Sequence, residues 1–161
     1  MDKPIVDIYI EQSVKGPRRQ AGAYGFVLKT MTSKGPVDRT HFDTGDNFSS
    51  HELELVAIVD ALRHLITPCT ISIHSVHGWF ETVIDGCWIE QWKERNWKSH
   101  RGPEVDNRSL YEEILSLTES GGHQIVKIDK DLADYAEWLK REVEKAAEQH
   151  KQYLSARNFA E

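Results

Sequence analysis

The sequence predicts one α/β domain on a five-stranded mixed sheet, and three observations carry that prediction. Three strand-type segments precede any helical pattern, so the sheet starts antiparallel. Helical and strand patterns then alternate, giving the order β-β-β-α-β-α-α-β-α. A chain of 161 residues, 39% apolar and 29% charged, is long enough to bury one core without disulfide or metal staples.

The elements follow in order. Ile5 to Ile10 is apolar and strand-like and ends at Glu11; the loop QSVKGPRRQAG follows it. Ala23–Thr30 (AYGFVLKT) is the second strand, the SKGP turn reverses the chain, and Val37 to Gly45 returns as the third. In FSSHELELVAIVDALRHLITP, Leu53, Val56, Ala57, Ala61 and Leu62 fall at helical spacing. Ser49 or Ser50 caps that helix, and Thr67-Pro68 stops it. Ile71 and Ile73 alternate with Ser72 and His74 in a fourth strand. Trp79 to Trp97 is helical with a break near Asp85-Gly86, and KSHRGPEVD is a polar loop. SLYEEILSL places Leu110, Ile114 and Leu117 on one stripe, and His123 to Ile128 is the fifth strand. Leu132, Tyr135, Leu139, Val143 and Ala146 share one face of a long last helix. With no repeat or linker in the sequence, residues 1–150 are expected to form one domain and 151–161 a C-terminal tail.

A net charge of −6 argues against a protein that coats nucleic acid non-specifically, while leaving room for a local basic patch. The apolar runs are too short to span a membrane, and MDKPIVDIYI lacks the charged-then-apolar pattern of a secretory leader. Cys69 and Cys87 lack metal or redox spacing and suit reduced thiols, so a cytoplasmic location is expected.

One segment is far more specific. In WIEQWKERNWKS, Trp88, Ile89, Trp92, Lys93, Arg95, Trp97 and Lys98 follow a WIxxWKxRxWK pattern, and Val105, Asn107, Leu110 and Tyr111 continue it. This segment and the element order resemble the type 1 ribonuclease H family, in which it forms a basic "handle". AGAYGFVL resembles that family's second strand. SSHELELVAIVDAL resembles the entry to its first long helix, with Glu54, Ala57, Ala61 and Leu62 in register. The likeness spreads over roughly residues 5 to 147 and implies a ribonuclease H-like fold.

The resemblance also implies a reaction: hydrolysis of the RNA strand of RNA–DNA hybrids, with magnesium or manganese held by four carboxylates. Paired ions about 3.5–4 Å apart activate water and stabilise the leaving oxygen, and magnesium asks for hard oxygen donors. Carried over by position, the first acid is Glu11, where the family has aspartate, and the second is Glu54, with Glu52 the competing assignment. The third position falls on Val76 by strand alternation, or on His77 counted back from Trp88. Neither is an acid, and imidazole suits zinc or manganese better than magnesium. The fourth is Asp134, with Asp129 and Asp131 close by. The Gly- and His-containing loop that precedes the last helix in bacterial-type members is replaced by KIDKDLAD. The hybrid-contacting stretch of the family corresponds to Ser49, Ser50 and His51. In the handle, Lys93, Arg95, Lys98 and Arg101 suit phosphate contacts, and Trp92 and Trp97 suit either stacking or packing.

These residues point to a ribonuclease H-like protein that binds RNA–DNA hybrid or structured nucleic acid. Its metal site (Glu11, Glu54, Asp134) is degraded, and little or no cleavage is expected. Magnesium or manganese is the expected metal if any is bound. The alternatives are an active metal-dependent ribonuclease H and a module that binds a protein partner on the same fold.

Overall fold

The computed structural model describes residues 3–160, with only the backbone of Ala160 described. Three antiparallel strands come first: β1 (Ile5–Gln12), β2 (Gln20–Thr32) and β3 (Gly35–Phe48). Helix α1 (Ser50–Arg63) crosses over to β4 (Thr70–Ser75), which pairs parallel with β1. Three short helices follow, α2 (Trp79–Asp85), α3 (Trp88–Glu94) and α4 (Arg108–Ser120). Then come β5 (Gln124–Asp129), a 3-10 turn at Ala133–Tyr135, and α5 (Ala136–Ala160). The sheet runs β3-β2-β1-β4-β5, the five-stranded mixed order expected. The helical stretch after β4 splits in two, because Gly86 ends α2 and Cys87 turns the chain at φ 54°. Three helices therefore stand between β4 and β5 where two were expected.

Alternation along the strands sends the two faces of the sheet to different partners. Ile8 and Ile10 of β1 and Ile71 and Ile73 of β4 are fully buried in the main core, packed with Leu53, Leu55, Ile58 and Ile114. Tyr9 and Val27 face the other way, onto Leu132 and Leu139, while Ala23 meets Val143 and Ala147. On α4 the fully buried stripe is Tyr111 and Ile114; Leu110 and Leu117 pack at its margin. Ser49 caps α1, accepting the Glu52 N–H at 3.3 Å. A side chain at Gly25 would collide with the Phe42 ring and press on Val143, so glycine there lets α5 lie close on β2. The segment 151–160, expected as a tail, continues α5, and residues 151–159 are mostly exposed. Among the described residues no helix is long and apolar enough to cross a membrane.

Candidate nucleic-acid groove and acidic cleft

Three segments meet at the carboxyl end of β1. Glu11 is the penultimate residue of β1 and only 7% exposed. Val76 and His77 form the turn after β4, and Gly78, at φ 71°, reverses the chain into α2. That turn settles which of the two neighbours faces Glu11. Val76 is 42% exposed at the mouth, whereas His77 Nε2 donates to Glu11 Oε1 at 2.7 Å.

Gln12 holds the histidine in that pose. Its amide Nε2 donates to His77 Nδ1 at 3.3 Å and to the Val14 carbonyl at 2.8 Å, while its oxygen accepts the Val14 N–H at 2.6 Å. Glu11 Oε1 also takes the Gln12 N–H at 2.9 Å, so this oxygen already serves two donors.

Glu54 approaches from α1. It is fully buried, and its Oε1 accepts the Phe80 N–H at 3.1 Å, tying α1 to the first turn of α2. Its Oε2 is buried with no hydrogen-bond partner, as is Ser75 Oγ at the end of β4. Burial pushes the Glu54 carboxyl above the ordinary carboxylate range; the Phe80 N–H, His77 and the Trp79 N–H pull it part of the way back. Glu52, the competing assignment, instead forms an ion pair with Arg19 at 3.1 Å.

Asp134 is not drawn into this cleft. It is exposed in the 3-10 turn, where its charge acts on Tyr9 and Tyr135. A cavity of about 380 Å³ opens beside Glu11 and His77, and α5 lines it with Glu137, Lys140 and Glu144. Their spacing of three and four residues marks one helical stripe, a signal that was present in the sequence. Asp129 and His74 are also committed elsewhere. His74 Nδ1 lies 2.6 Å from Asp129 and Nε2 2.8 Å from Asp7, with the Tyr9 ring stacked on it at 4.6 Å.

Paired magnesium ions call for oxygen donors, and the turn after β4 presents an imidazole to Glu11. Glu54 offers Oε2, while the β4 position supplies imidazole, which holds Oε1 of Glu11. Among the described residues, Glu11, Glu54, His77 and Asp134 form no group of three whose donor atoms all lie within 4.8 Å of one another.

Beside the cleft lies a longer groove. One cavity of about 940 Å³ is lined by Arg19, Ser49, Ser50, His51, Trp79 and Asn107, among others. A second, of about 460 Å³, continues it past Trp88, Trp92 and Arg101. His51 and Trp79 belong to both. Their rings stack at 5.2 Å and 17°, and His51 Nε2 is held 2.6 Å from the Tyr111 hydroxyl. Trp79 is 48% exposed, which leaves one ring face open to a ligand. From the sequence Trp79 reads only as the start of a helix, and Arg19 only as part of the loop after β1.

The handle divides its residues between packing and solvent. Trp97 is buried, and Trp92 is half-buried against Tyr111 at 5.2 Å; these two rings seat the handle on α4. Trp88 is 38% exposed at the groove wall. Lys93 lines the cavities between α3 and α4, away from the groove. Arg95 lies exposed, with its guanidinium 2.7 Å from His100 Nε2. Lys98 is exposed, its backbone bridged to Glu104, and Arg101 reaches the groove.

The RNase H family model matches residues 4–130. A ribonuclease H of Clostridium botulinum strain Hall is 30% identical over 125 residues, covering 76% of this chain and 81% of that protein. One of Mannheimia succiniciproducens is 31% identical over 106 residues, covering 66% and 63%. Among solved structures, LC9-RNase H1, described as a type 1 enzyme with the type 2 active-site motif, superposes with a TM-score of 0.74 at 20% identity. That match covers 92% of this chain and 74% of that one. LC11-RNase H1, solved with an RNA/DNA hybrid, superposes at 0.55 and 13% identity, covering 88% and 98%. At these identities the superpositions speak to the fold alone. The family match ends before Asp134 and α5.

Proposed function

Because the chain belongs to the ribonuclease H family, we propose that it binds RNA–DNA hybrid along the Arg19–His51–Trp79–Arg101 groove and cleaves it little or not at all. One observation carries the second half: His77 Nε2 donates to Glu11 Oε1 at the position where two-ion hydrolysis calls for a carboxylate. The groove supports the first half. It sets an open tryptophan face between Arg19 on one side and Arg101 on the other, the pairing of stacking platform and phosphate contact that nucleic acid requires.

The test has two arms. Binding of a labelled hybrid is followed by anisotropy across salt concentrations. Each phosphate contact removed by Arg19→Ala, Arg95→Ala, Lys98→Ala or Arg101→Ala is expected to lower the slope of log K against log salt by about 1. Salt-insensitive or absent binding would sink the proposal. In the second arm the same hybrid is incubated with magnesium and with manganese. The expectation is no turnover above that of the Glu54→Gln variant. Metal-dependent cutting abolished in that variant would establish the other reading, an active enzyme built on Glu11 and Glu54. The unpartnered Glu54 Oε2 favours that reading, because it is an oxygen donor without a partner.

A further inference from the structure

On the opposite flank, three side chains converge that the groove and cleft do not use. Asp60 in the last turn of α1 and His64, its C-cap in helical conformation, are four residues apart, so both side chains lie on one face. His41 reaches across from β3 to meet them. One donor atom from each residue lies within 4.8 Å of the other two; among the described residues no other group of three or more such side chains meets that condition. His41 Nε2 is 3.3 Å from Asp60 Oδ2. Ligand atoms on a tetrahedral zinc, with bonds of 2.0–2.2 Å, lie roughly 3.3 Å apart. The two imidazole rings are 4.9 Å apart and tilted by 45°, so neither stacks flat over the other.

We propose that His41, Asp60 and His64 bind a divalent transition-metal ion of the zinc class, with at least one coordination position left to water. The donor set selects the class. Two imidazoles and one carboxylate suit zinc, cobalt or nickel, and disfavour magnesium and calcium, which take oxygen. The surroundings are those of a supported site. The Tyr24 hydroxyl donates to Asp60 Oδ2 at 2.7 Å and holds the carboxylate toward the histidines. His64 Nδ1 lies 2.7 Å from the Asp60 carbonyl oxygen and 3.4 Å from Asp60 Oδ1, which fixes the ring beside the carboxylate. Phe26 packs against both rings, at 5.5 Å from His41 and 5.3 Å from His64, and forms an apolar floor.

Entry from solvent is open: the side chains of His41, Asp60 and His64 are 39%, 22% and 42% exposed. The cation that α1 carries next door, Arg63, is drawn aside by Glu113. The site is separate from the acidic cleft, since Asp60 lies six residues beyond Glu54, roughly 9 Å further along the helix. A bound ion would clip β3 to α1. Its presence is independent of hybrid binding or cleavage.

The experiment uses the tag-free full chain, stripped with chelator and titrated with zinc by calorimetry and with cobalt(II) by visible absorption. Expected are one tightly bound equivalent and a d–d band characteristic of nitrogen and oxygen ligands. Zinc in hundredfold excess over Kd is expected to raise Tm by roughly 5–10 °C. His41→Gln and His64→Gln each weaken binding at least tenfold and remove the Tm rise. Tyr24→Phe weakens it by about 10–100-fold with the ligands intact. His77→Asn leaves binding unchanged. Zinc affinity and stoichiometry unaltered in the His41→Gln/His64→Gln double variant would overturn the proposal, as would loss of binding in His77→Asn. Both rings pack on Phe26, so the zinc-induced rise in each variant is read against that variant's own metal-free Tm.

Discussion

Replacing Glu54 by glutamine is expected to make the protein more stable at neutral pH. Glu54 is fully buried, with Oε2 unpartnered and Oε1 accepting from Phe80. Burial raises its carboxyl above the ordinary value, against the partial opposition of the Phe80 N–H, His77 and the Trp79 N–H. A carboxyl raised in the folded state favours folding while it is protonated. Its contribution is whole below the unfolded-state value and is lost as pH climbs through the raised one. At pH 7 the raised carboxyl is therefore a net cost to the fold. Glutamine keeps the acceptor for Phe80 and removes the charge. An orphaned buried charge costs more than an orphaned amide by about 1–2 kcal/mol. For a domain of this size that is a Tm gain of roughly 3–6 °C. Thermal unfolding by circular dichroism from pH 4 to pH 8 reads it directly. The gap between variant and parent should open as pH rises and close toward pH 4. A variant less stable at pH 7, or a gap that ignores pH, would refute the burial argument.

Further outcomes follow from the same geometry. His77→Asp restores an acid at the end of β4, and hybrid cleavage with manganese should rise above the parent; an unchanged rate would locate the deficit elsewhere, in Glu11 or in the fourth acid. Trp79→Ala should weaken hybrid binding about 5–100-fold, the cost of one lost stacking platform, with Tm nearly unchanged because half of the ring is exposed. Gly25→Ala should destabilise by about 1–3 kcal/mol through overpacking against Phe42 and Val143, seen as a lower denaturant midpoint. Ile114→Ala, at a core position 1% exposed, should cost about 2–5 kcal/mol by the same measurement.

The fold was largely legible because its signals are local and repeated. Alternation in β1 and β4, the Ser49 cap and the Leu139–Val143 stripe each report a face without reference to the rest of the chain. The split of α2 from α3 was visible as Asp85-Gly86, although the number of helices it implied was not. The site was less legible, because proximity there is set across the sheet. Strand alternation and counting from Trp88 gave two residues for the position after β4. The choice between them rests on the left-handed turn at Gly78 and on Gln12, which lies 65 residues away from His77 in sequence. Lys93 belongs to the basic handle by pattern, yet it faces α4, because the rotation of a seven-residue helix is decided by how Trp92 and Trp97 seat it. Trp79 and Arg19 carry no motif at all; they matter through what the fold sets beside them.

Composition, hydrophobic period and one tryptophan-rich motif were enough to determine a mixed five-stranded sheet flanked by helices, its family, and the lack of an acid next to Ser75. Those are properties of residue order, and hydrophobic burial turns order into layers with little freedom. Tertiary structure alone decided that His77 closes on Glu11, that Asp134 stays outside, that His74 lies between Asp7 and Asp129, and that His41 meets Asp60 and His64. Each is a meeting of side chains from separate strands and helices. Hydrogen bonds and ion pairs reach only about 3 Å, so register and turn geometry, rather than spacing along the chain, select which groups touch.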